Sequence, residues 1–86
     1  MNTAIQNIAE ISKTLSQTPE EIGRLMQNLG MNERAFALVM NVSPMTVKMW
    51  LCGAARPCSA SGRLMQVYAK EPEIINRLCE NVDDGV

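Results

Sequence analysis

The sequence predicts an all-α chain, a bundle of five to six short helices. Three observations predict it. Apolar residues recur three and four positions apart along most of the 86 residues, and no stretch alternates as a strand would. Helix-starting residues (Thr18-Pro19, Asn32, Ser43-Pro44) precede those apolar runs. Helix-stopping residues (Gly30, Asn41, Gly53) follow them.

Each element can be justified in turn. Ile5, Ile8, Ile11 and Leu15 follow Asn2-Thr3 at helical spacing, which predicts an amphipathic helix over 3–16. Thr18-Pro19-Glu20-Glu21 starts the next. Thr18 caps, Pro19 suits the first helical position, and Glu21 completes a capping box. This helix runs to Leu29 with Ile22, Leu25, Met26 and Leu29 on one face, and Gly30 ends it in the left-handed region. Asn32 caps the following helix, and Met31 and Phe36 stand at the positions of a hydrophobic staple. Its buried stripe is Phe36, Ala37, Val39 and Met40.

Asn41 stands at the turn, where asparagine tolerates left-handed backbone. Ser43 caps the next helix, Pro44 fills its first position, and Val42 staples against Val47. Val47, Trp50 and Leu51 point inward, and Gly53 is the stop. Residues 54–58 form a loop. Ser59 opens another helix with Leu64, Met65, Val67 and Tyr68 available for burial. Pro72 starts a last helix over 73–81, with Ile74, Ile75 and Leu78 apolar. The organisation is thus an N-terminal amphipathic helix (1–17), a central domain (18–81) and an acidic tail (82–86) expected to fray.

Charge is distributed unevenly. The net charge is −1, but residues 20–70 hold six basic residues against three acidic ones, while residues 71–86 hold Arg77 against five carboxylates. A basic middle beside an acidic tail suits a protein that meets phosphate with one face. Cys52, Cys58 and Cys79 have no tight pair spacing, and histidine is absent. Reduced thiols are expected, with no metal site and no cofactor. No nucleophile–base pair or phosphate loop occurs, and Glu20-Glu21 suits the dipole of a first helical turn, so no enzyme is expected. No apolar run is long enough to span a bilayer and no signal-peptide pattern occurs, which makes a cytoplasmic location the expectation.

The most telling stretch is residues 32–53. Two short helices are joined by a tight turn, with Ala37 small enough for close approach and Val47 and Trp50 facing the core. Residues 31–57 resemble the helix-turn-helix of the phage Cro and repressor-type (XRE-like) transcription regulators. Val42, Ser43, Thr46, Val47, Trp50, Gly53, Arg56 and Pro57 match that family's pattern. The resemblance covers roughly residues 19–78 and implies a lambda-repressor-like bundle that binds an operator as a homodimer.

It also implies roles for particular residues. Pro44, Met45, Lys48 and Met49 take the outward positions of the reading helix, where the family reads base edges. Ser43 and Thr46 stand where members touch phosphate, as do Asn32 and Glu33 at the preceding helix start and Arg56 in the following loop. The chain departs from the family at Met45 and Met49, where members often carry Arg, Gln or Asn, and at Glu33, where a neutral Gln is usual. A methionine offers a base only apolar contact, for which the thymine methyl is the natural target.

The expected function is therefore sequence-specific transcription regulation, as a repressor binding an inverted repeat in double-stranded DNA. The rival expectation is a protein-interaction module, such as an antitoxin that holds a toxin or other protein partner. The stripe Ile5, Ile8, Ile11 and Leu15 is available to cover the core, to pair with a second subunit or to hold such a partner, for which the acidic tail is a further candidate.

Overall fold

The structure, a computed structural model, describes residues 17–84, with side chains described to Cys79. The helix expected over 3–16 lies outside the described residues. The described residues form five α-helices and no strand: α1 (Pro19–Leu29), α2 (Glu33–Met40), α3 (Pro44–Cys52), α4 (Ser59–Lys70) and α5 (Glu73–Asp84).

Local chemistry sets most of the boundaries. At the start of α1 the Thr18 hydroxyl accepts from the Glu21 amide at 3.2 Å, and the Glu21 carboxylate accepts from the Thr18 amide at 3.0 Å, closing the capping box. Asn32 Oδ1 accepts from the Ala35 amide at 2.9 Å to start α2. The first three helices end alike. Gly30, Asn41 and Gly53 all take positive φ, at 68°, 61° and 82°. In each case the next amide reaches back five residues: Met31 to Met26, Val42 to Ala37, Ala54 to Met49. This is the Schellman arrangement, which satisfies carbonyls that a helix end would otherwise orphan.

α4 begins at Ser59, as expected, although the residue before it, Cys58, makes no side-chain capping bond. One boundary differs from expectation. Helix α5 continues to Asp84, so residues 82–84 of the expected tail are helical.

Packing follows the apolar faces. α3 packs on α1 and α2, while α4 packs on α1, α2 and α5. The core takes Ile22, Leu25 and Met26 from α1, Phe36, Ala37 and Met40 from α2, and Val47 and Trp50 from α3. Met65 and Tyr68 of α4 and Ile75 of α5 complete it, with Leu29, Met31, Val39 and Leu51 packed at its margin. Tyr68 has a second task. Its hydroxyl donates to the Val39 carbonyl at 2.6 Å, one of the last four carbonyls of α2. That bond ties α4 to the end of the helix that precedes the turn. Burial without a charged partner pushes the Tyr68 pKa up.

Candidate nucleic-acid interface

The site is built on the corner between α2 and α3. The connection is Asn41, Val42 and Ser43, and the chain direction changes by 108° across it. Two features permit so abrupt a corner. Asn41 holds the left-handed conformation that reverses the chain. Ala37, 2% exposed, presents only a methyl where α2 meets the core.

α3 is anchored on one side. Val47 is fully buried and Trp50 is 4% exposed. Helical geometry then sends Pro44, Met45, Lys48, Met49 and Cys52 to the opposite side, and all five are exposed. Met45 is 62% exposed and Met49 39%, in contrast to the other methionines among the described residues. Met26, Met40 and Met65 are buried and Met31 is packed at the core's margin, as expected of methionine.

The expected phosphate contacts take distinct positions. Ser43 Oγ accepts from the Thr46 amide at 3.1 Å and lies 3.0 Å from Thr46 Oγ1. That hydroxyl pair uses one of its two hydrogens internally and leaves the other to donate. Pro44 has no N–H, so with Thr46 capped the Met45 amide is the donor at this helix start. Asn32 is exposed with its Oδ1 committed to the cap. Glu33 is half-buried at the first position of α2, where its charge complements the helix dipole but opposes an incoming phosphate. Arg56 is exposed in the loop after α3. It lines a cleft of about 450 Å³, with Pro19, Trp50 and Cys58, between the ends of α1, α3 and α4.

Apart from Asn32 and Glu33, these positions lie in a basic stretch of the sequence. From Arg34 to Lys70 the chain carries five cations and no carboxylate. Arg34, Lys48, Arg56 and Lys70 are exposed; Arg63 is half-buried and donates to Gln66 Oε1 at 2.8 Å. Cys58 sits in the same acid-free stretch. Its thiol lies 3.5 Å from Ser61 Oγ, and hydrogen bonding from Ser61 holds its pKa below the ordinary thiol value.

Three residues near the corner were not singled out from sequence. Cys52 extends the outward stripe of α3, a position set by its spacing of three from Met49 and seven from Met45. Arg34 is exposed one residue beyond Glu33, and the α2 start carries it. Leu38 is 78% exposed on α2. It lies two residues from both Phe36 and Met40, the far side of a helix that buries those two, so the spacing held the clue.

Among the described residues, no group of three or more Cys, Asp or Glu side chains is placed to hold a metal ion. No single helix among them is long and apolar enough to cross a membrane. The chain matches no protein-family model, no curated protein and no solved structure, so a functional reading rests on its own residues and geometry.

Proposed function

We propose that this chain is a sequence-specific DNA-binding regulator, a repressor that acts as a homodimer on an inverted repeat. In this reading α2 and α3 form a helix-turn-helix, with α3 as the reading helix. One observation carries it. α3 is gripped by the core through Val47 and Trp50, and at the end of a 108° corner it holds Met45, Lys48 and Met49 out in solvent. A surface helix with no partner of its own is more often polar along that side. Supporting it, the stretch that contains the corner has cations and no carboxylate from Arg34 onward. Base readout falls to Pro44, Met45, Lys48 and Met49. Phosphate contact falls to Ser43, Thr46, Arg56 and the α2 start at Asn32.

The test is a gel-shift titration against the DNA directly upstream of the chain's own coding sequence, with unrelated duplex as competitor. Retention that survives the competitor supports the proposal. Equal affinity for both duplexes reduces the protein to a nonspecific binder.

A dimer belongs to the same proposal because one reading helix covers few base pairs. A two-fold pair would set its reading helices one turn of DNA apart, about 34–36 Å. The N-terminal stripe, one candidate contact, lies outside the described residues. On the last helix, Ile75 is in the core, which leaves Ile74 and Leu78 exposed for a second subunit. Leu78→Glu in the full chain should give a monomer by sedimentation if α5 is the contact; a persisting dimer assigns the contact to the stripe.

The exposure of Leu38 favours a second reading, a module that holds a protein partner such as a toxin through α2. Leu38→Ser should then abolish partner binding and leave duplex affinity unchanged.

A further inference from the structure

We infer that α3 reads the 5-methyl group of pyrimidines in the major groove, and so selects thymine at two nearby base-pair steps. This inference rests on the DNA-binding reading above and adds the chemistry that the site selects.

The outward positions of α3 are Pro44, Met45, Lys48, Met49 and Cys52. None carries a carboxamide or a guanidinium, the groups that pair two hydrogen bonds with adenine or guanine. None carries a carboxylate, the acceptor for cytosine's amine. Lys48 is a flexible point charge and meets phosphate as readily as a base. What remains is apolar or nearly so: Pro44 at the start, the Cys52 thiol at the end and, between them, a pair of thioethers, 62% and 39% exposed, four residues apart on one side of the helix.

A thioether discriminates bases by apolar contact alone. In the major groove the thymine methyl is the apolar group that a base edge offers. Met45 and Met49 are separated by about 6 Å along the helix axis. For a helix laid along the groove that is close to two base-pair steps, at about 3.4 Å each. Charge complementarity names the occupant as a polyanion: the stretch from Arg34 to Lys70, which contains this apolar pair, has five cations and no carboxylate.

Apolar readout has a second consequence. The methyl is what is read, so 5-methylcytosine at those steps should be accepted in place of thymine, while unmethylated cytosine and uracil should be rejected.

The experiment selects from a random-sequence duplex pool with the full-length chain. The winning duplex is then remade with deoxyuridine for thymidine at one position at a time, a change that removes the methyl and keeps every hydrogen bond. The expected result is a loss of roughly fourfold per methyl read, at two nearby steps, with recovery on 5-methylcytosine. Met45→Ala should abolish the thymine–uracil difference at one step and leave the other. Met45 is exposed, so the variant should keep its helical circular dichroism. Equal affinity for thymine and uracil duplexes throughout would overturn the methyl readout and leave sequence-specific DNA binding standing. A pool that yields no enriched sequence would overturn both.

Discussion

Trp50→Ala tests whether α3 is fixed by the core or merely lies on it. Trp50 is 4% exposed and sits beside fully buried Val47, on the helix whose far side carries the candidate interface. Removing a buried indole and leaving its cavity costs about 3–5 kcal/mol. A chain of this size is stabilised by roughly 0.05–0.15 kcal/mol per residue, so the loss takes a large part of the total. Each kcal/mol lowers the melting temperature of a small domain by roughly 4–8 °C, which places the expected shift at no less than about 12 °C. Far-UV circular dichroism is the assay, because Trp50 is the only tryptophan and its own fluorescence vanishes with it. Trp50→Phe keeps an aromatic ring in the site and should lose clearly less. A Trp50→Ala melt within about 2 °C of the parent, below even a single kcal/mol of loss, would put the indole on the surface and refute the anchoring of α3.

Further outcomes are expected elsewhere. Lys48→Ala and Arg56→Ala should each weaken duplex binding and reduce the salt slope by about one unit if each neutralises one phosphate, as read by anisotropy titrations at several salt concentrations. Gly23→Ala should stabilise α1 by roughly 0.5–1 kcal/mol. The added methyl would meet only the Leu51 side chain, at an ordinary 4.0 Å. A destabilised variant in the melt would mean that α1 and α3 pack closer than this. Tyr68→Phe should cost about 1 kcal/mol or more through the lost bond to Val39. Because burial raises the Tyr68 pKa, the folded state holds that proton more tightly than the unfolded one. Its stabilising effect is full below the unfolded value of about 10 and falls as pH rises through the folded value. Denaturant melts across that window should show a decline in the parent that is smaller in Tyr68→Phe.

The helix boundaries legible in the sequence are those made by local bonds. Thr18, Asn32 and Ser43 each bond an amide three residues ahead, and Gly30, Asn41 and Gly53 each turn left-handed at a helix end. Such contacts need no knowledge of the tertiary fold. The start of α4 at Ser59 was also legible, although Cys58 before it makes no side-chain cap. The far end of α5 was not legible: the last residues were expected to fray as a chain terminus, yet the helix continues to Asp84. The Tyr68–Val39 bond spans 29 residues and leaves no mark in either segment.

At the candidate site the inward and outward sides of α3 followed from periodicity: Val47 and Trp50 are buried while Met45, Lys48 and Met49 are exposed. The pairing of the Ser43 and Thr46 hydroxyls was not legible. Nor was the packing of Ile75, as opposed to Ile74, into the core, since both are apolar and adjacent; only the docking of α5 on α4 separates them.

The central claim is that the corner of α2 and α3 is a DNA-docking face. Its most direct test is amide chemical-shift mapping of the full chain, titrated with the duplex that it retains most tightly. The account predicts that the large perturbations fall on Ser43 to Met49, on Asn32 to Arg34 and on Arg56, with α5 little changed apart from effects of dimerisation. Perturbations concentrated on α4 and α5, with Met45, Lys48 and Met49 unmoved, would contradict it.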